Sequence, residues 1–133
     1  MLAGDPEKAE ALIYKGVIEI ESKTYAAAID PLDRVLKQPP SNANALRNRA
    51  LAYLQLGDLD KAEKDYDTMR RLMNRDLVYV AYYGLGEIAD RHHDAPTARK
   101  FYNLYLQAVP RQDSPELKEE IKKVSDRLNE LKR

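Results

Sequence analysis

The stretch Asn48-Arg49-Ala50-Leu51-Ala52-Tyr53-Leu54, followed by Gly57-Asp58-Leu59-Asp60-Lys61-Ala62 and Tyr66, decides how this chain folds. It holds two small residues, Ala50 and Ala62, 12 positions apart and on either side of a Gly-Asp turn signal. The same spacing recurs at Gly16 and Ala28 upstream and at Gly86 and Ala98 downstream. The pairs step along the chain by 34 and then by 36 positions. A step near 34 is the period of a helix–turn–helix array. Glycine inside a helix costs roughly 0.5–1 kcal/mol relative to alanine. Gly16 and Gly86 therefore imply a compensating gain, and the expected one is close approach of two helix backbones.

Working outward, turn and cap signals mark seven helices. The first runs from Pro6 to Ser22, with Asp5 as its N-cap. The second, Tyr25 to Lys37, carries Ala28, Leu32, Val35 and Leu36 on one stripe and ends at Pro39-Pro40. Ser41 or Asn42 caps Ala43 to Leu56. Gly57 suits the left-handed residue beyond a helix end, and Asp58 caps Leu59 to Met73. Asp76 caps Leu77 to Arg91, and His92 to Asp94 form a turn. Asp94 then caps Ala95 to Val109, which Pro110 stops. Ser114-Pro115-Glu116 opens a last helix to Leu131, whose Leu117, Ile121, Val124, Leu128 and Leu131 form a narrow apolar seam. Its other face is charged, as suits a helix that covers the end of a stack. A coiled-coil dimer is the competing use of that seam.

Composition narrows the function classes. A chain of 133 residues is expected to form one domain, 1–133. Its 22 basic and 22 acidic residues balance, and no run of one sign appears, which argues against a nucleic-acid binder. The absence of cysteine excludes disulfides, thiolate metal sites and cysteine nucleophiles. No apolar stretch approaches the ~20 residues that span a bilayer. Met1 to Lys8 lack a secretion-signal pattern, and cytoplasm and periplasm are both compatible with the sequence.

The signals for chemistry are weak. Leu77 to Tyr83 is β-branched and aromatic, and Gly84-Leu85-Gly86 with Ala89 would be a dinucleotide fingerprint after a strand. No second strand pattern exists, however, and Gly86 already belongs to the repeat register. A nucleotide-binding enzyme is therefore a remote alternative. His92-His93-Asp94 lack further metal ligands, and the Asp58/Asp60 pair is explained by capping. Glu19 and Glu21 face different directions on a helix. No nucleophile–base–orienter pattern stands out. The expectation is no catalytic residue, no metal and no cofactor.

These residues resemble the tetratricopeptide repeat family in three copies, about 9–42, 43–76 and 79–112, with a capping helix at about 115–131. The middle copy carries the stretch quoted above. Gly16, Tyr25, Ala28 and Pro40 match in the first copy, and Leu85, Gly86, Ala98, Tyr102 and Pro110 in the third. Departures are Glu19 and Ala89, where the family has an aromatic, and Asn74, where it has proline. The resemblance implies an all-α solenoid, a right-handed superhelix of three antiparallel helix pairs with a seventh helix. It places small-residue packing at Gly16, Ala28, Ala50, Ala62, Gly86 and Ala98. It gives Tyr25, Tyr53, Tyr66 and Tyr102 interhelix slots.

The same resemblance implies a concave groove lined by the first helix of each pair. The first helix would present Glu10, Ile13, Tyr14, Val17 and Ile20. The second would present Asn44, Arg47, Asn48, Leu51 and Leu54, and the third Val80, Tyr83, Gly84, Glu87 and Asp90. One subclass clamps the C-terminal carboxylate of heat-shock chaperones with Lys, Asn and Arg. Here only Asn48 fits those slots, while Ile13, Val17, Val80 and Gly84 do not, so no clamp is expected. The expected function is a non-catalytic protein-interaction scaffold that binds an apolar or amphipathic peptide of a partner protein. Self-association through the last helix or the groove, giving a homo-oligomer, is the alternative.

Overall fold

A computed structural model describes residues 6–39, 41–72, 75–111 and 114–132. These form seven helices and no strand: α1 (Pro6–Glu21), α2 (Tyr25–Leu36), α3 (Ala43–Leu56), α4 (Leu59–Arg71), α5 (Val78–Arg91), α6 (Ala95–Ala108) and α7 (Pro115–Leu131). The expected boundaries hold to within a residue or two. Asp5, Pro40 and Asn74 lie outside the described residues. The chain divides into two compact units, Met1–Leu72 with α1 to α4 and Met73–Arg133 with α5 to α7.

The three hairpins α1/α2, α3/α4 and α5/α6 close with one backbone device. Lys23, Gly57 and His93 are left-handed, with φ of 63°, 82° and 60°. Their N–H groups donate to the carbonyls of Ile20, Leu54 and Asp90 at 2.9, 3.1 and 3.0 Å. The following residues, Thr24, Asp58 and Asp94, reach back to Glu19, Tyr53 and Ala89, each at 2.9 Å. This is the Schellman arrangement, which satisfies carbonyls that a helix end leaves open. Only the middle hairpin has glycine at the left-handed position, so only there is the turn written plainly in the sequence. The departure Glu19 also finds its reason here: its carboxylate accepts the Thr24 hydroxyl at 2.6 Å, a polar link across the turn.

Caps differ in detail from expectation. Asn42, not Ser41, caps α3, its Oδ1 accepting the Ala45 N–H at 2.9 Å. Asp94 and Ser114 cap α6 and α7 through Thr97 and Leu117. Asp58 holds the N-cap place of α4 but makes no side-chain cap bond. Its carboxylate lies 3.7 Å from Lys61 instead. The N-cap of α5 is Leu77 rather than Asp76. The strand-like segment is helical because Tyr79, Tyr82 and Tyr83 share one face there and pack on the core of the second unit. The glycine string Gly84 to Ala89 lies wholly inside α5.

The small residues work differently from the expected backbone-to-backbone approach. Ala28, Ala50, Ala62 and Ala98 are fully buried. The glycines seat side chains four positions beyond the paired alanines. A Cβ on Gly16 would meet Leu32 at 2.8 Å, and one on Gly86 would meet the Tyr102 ring at 2.6 Å. In the first unit Leu32 joins Ala28, Val35, Ala45 and Ala52 in one cluster. In the second, Tyr102 packs with Ala89, Ala98, Tyr105, Val109, Val124 and Leu128. Val124 and Leu128 belong to the seam of α7, which thus faces its own unit.

Lys23→Gly should raise stability by about 0.5–1 kcal/mol, because a side chain at positive φ is strained, and Gly57→Ala should lower it by a similar amount. Urea unfolding midpoints check both. Gly86→Leu should destabilise by roughly 1–3 kcal/mol through overpacking against Tyr102. A neutral thermal midpoint would mean that the ring yields.

Candidate functional site

In the first unit the expected interaction residues sit on α1 and its neighbour α3. Tyr14 is 68% exposed, and Ile18, one turn later on the same face, is 44% exposed. Ile18 escaped the sequence reading, although its i,i+4 spacing from Tyr14 would have found it. Ile13, Val17 and Ile20 are half-buried, and Ile13 and Ile20 pack against the core cluster. On α3, Asn44 and Arg47 are exposed, while Asn48 and Leu51 are half-buried. The Asn48 amide donates to the Asn44 carbonyl at 2.8 Å. Leu54 is buried at 4% exposure, so it presents almost no surface.

In the second unit Val80, Tyr83 and Glu87 are half-buried on α5. Glu87 accepts from Arg91 at 2.6 Å. The Tyr83 ring lies 5.6 Å from that of Tyr105 and 5.9 Å from Lys123 Nζ. A cleft of about 590 Å3 opens there, bordered by Tyr83, Glu87 and Asp90 of α5 and by Lys123 and Arg127 of α7. The part played by α7 was not legible in the sequence, because its charged face reads as solvated surface. Asp90 accepts from Nε and Nη2 of Arg127, each at 2.7 Å, and from the Tyr102 hydroxyl at 3.3 Å. The guanidinium holds the Asp90 carboxyl below its ordinary value of 3.8. Burial pushes the Tyr83 hydroxyl up. The Tyr83 hydroxyl bond in turn raises the Lys123 ammonium. Among the described residues no acidic or histidine cluster could hold a metal, and no helix is long and apolar enough to cross a membrane.

The repeat geometry has direct counterparts. The tetratricopeptide repeat family matches residues 2–43 and 25–76, together more than half of the chain. The chain belongs to the tetratricopeptide repeat family. Its members are generally non-catalytic interaction modules. No curated protein matches this chain in sequence. Among solved structures it is similar to the Sgt2 tetratricopeptide domain from Aspergillus fumigatus, at 26% identity and TM-score 0.75, over 96% of this chain and 83% of that one. It is similar to the first tetratricopeptide domain of Spaghetti (RPAP3) bound to the HSP90 peptide SRMEEVD, at 28% identity and TM-score 0.74, over 94% and 96%. The Arabidopsis OM64 domain shares the fold at 22% identity and TM-score 0.78, over 93% and 96%. The tetratricopeptide family match ends at residue 76, beyond the second helix pair, and the structural similarity covers 96% of the chain.

The Asp90–Arg127 pair makes stability pH-dependent. A carboxyl whose folded pKa is lowered contributes fully above its unfolded value and loses that contribution as pH falls through the lower folded value. Stability should therefore drop as pH falls below 3.8. Asp90→Asn should flatten that part of the acid slope, measured by thermal melts from neutral to acid pH. An unchanged slope would show that Arg127 is solvated and the pair negligible.

Proposed function

We propose that this chain is a protein-interaction scaffold whose first helices take an apolar or amphipathic peptide segment of a partner protein. The observation that carries the reading is the Tyr14–Ile18 pair on α1, an aromatic and an aliphatic side chain left largely exposed. Exposed apolar pairs of this kind are anchor points, since the area removed from water on binding supplies the free energy. Arg47 and Asn44, exposed on α3, supply a polar rim of the kind that surrounds such anchors. Val17 and Leu51 extend the same apolar surface on their helices. In the second unit Tyr83 and Glu87 offer an aromatic and an anionic contact at the mouth of the α5/α7 cleft.

The peptide-bound Spaghetti (RPAP3) domain supports peptide recognition as the mode. The ligand here is of another kind. Ile13, Val17, Val80 and Gly84 stand where a carboxylate clamp needs polar or basic side chains, so an acidic chaperone tail finds little to grip in these positions. Self-association through α7 is less favoured, because Val124 and Leu128 of its seam are buried within their own unit.

Peptides selected from a displayed library on the wild-type chain test the reading. Tyr14→Glu should weaken the selected peptides by about tenfold or more, equivalent to about 1.4 kcal/mol. Circular dichroism should not change, since Tyr14 is exposed. Any binding of the labelled peptide SRMEEVD should be unchanged by Tyr14→Glu. Equal affinity of the selected peptides for the variant, or SRMEEVD binding that Tyr14→Glu abolishes, would refute the assignment.

A further inference from the structure

A second cleft, of about 510 Å3, lies on the other side of α3, with α2 and α4 as its walls. Leu46, Arg49 and Tyr53 face it from α3. On a helix these positions fall opposite Asn44, Arg47, Asn48 and Leu51, so the cleft is separate from the peptide face proposed above.

Its electrostatics point to an anionic ligand. The two acids in the cleft are both bound by one guanidinium. Arg49 donates to Asp65 at 2.8 and 2.7 Å and to Asp33 at 2.9 Å. Asp65 is only 3% exposed and turned inward. Against the one carboxylate charge left over stand three lysines at the rim, Lys37, Lys61 and Lys64. Lys37 and Lys64 make no ion pair with the described residues. Lys61 has only an exposed contact of 3.7 Å with Asp58, a geometry worth little. The floor is apolar and aromatic. Leu36 and Leu46 line it, and the Tyr53 ring sits 5.8 Å from Arg49 and 5.6 Å from Lys61. Both cations lie within cation–π range of the Tyr53 ring.

We propose that this cleft is a second binding site, for an acidic peptide segment of a partner protein. Lys37, Lys61 and Lys64 take its carboxylates, and Tyr53 and Leu36 take an apolar side chain between them. A nucleic acid fits less well. The lysines ring one concavity and do not form the basic stripe that tracks a phosphate backbone.

The test uses the full chain and a labelled peptide, Glu-Glu-Leu-Glu-Glu, with its glutamine counterpart and an oligothymidylate as controls. The glutamate peptide should bind saturably and weaken as salt rises. The glutamine peptide should bind about tenfold or more weakly, as should the glutamate peptide to Lys37→Glu/Lys64→Glu. Both lysines are exposed, and circular dichroism should show that variant folded; Lys64→Gln gives a milder second variant. Tyr14→Glu should leave this binding unchanged, which separates failure here from failure of the α1 assignment. Absent saturation, equal binding by the glutamine peptide or the folded lysine variants, or tighter binding of oligothymidylate would each overturn the proposal.

Discussion

Each hairpin depends on a pair of backbone hydrogen bonds that turn the chain through one left-handed residue. The residue after it donates five positions back, to Glu19, Tyr53 or Ala89. With the exit direction of the first helix fixed, the second returns in a set register, and Leu32 and Tyr102 land against Gly16 and Gly86. The glycines thus balance a local helix cost against a long-range seat. The turn and the seat are one constraint expressed at two distances. A larger residue at the seat would push the returning helix out of register.

Charge is organised to the same end. Arg49 joins α3 to Asp33 of α2 and Asp65 of α4 within the first unit. Arg127 joins α7 to Asp90 of α5 within the second. Bidentate pairs of this kind are directional and resist sliding of one helix along another. Removing one partner leaves the other desolvated and uncompensated, and Asp65 is the most buried of these acids. The apolar cores supply most of the free energy, and the arginine forks fix the angle at which helices lie.

Several features were legible residue by residue. The small-residue register located the helix pairs, Gly57 marked its turn, and Asn42, Asp94 and Ser114 cap as their side chains suggest. Lys23 gave no sign of positive φ, because lysine does not favour it, and His93, of a type enriched there, stood beside His92 and Asp94 with nothing to single it out; the turn decides both. Leu54 read as an outward groove position and proved buried, because helical spacing gives a direction without saying what covers it. Tyr14 kept its expected exposure, while Ile13 and Ile20 lean on the core. The contribution of α7 to the α5 cleft was hidden, since Lys123 and Arg127 look like ordinary solvated charge until Tyr83 and Asp90 are set beside them.

The sequence by itself determined the period, the helix count and the turn sites, because these follow from interactions spanning a few positions: propensity, capping and the placement of small residues. Tertiary structure alone decided which side chain fills each glycine seat, which acid each arginine holds, and where clefts open. Those outcomes join residues 15 to 40 positions apart, and their energies depend on distance, burial and angle. A one-dimensional pattern carries none of these until the helices have been brought together.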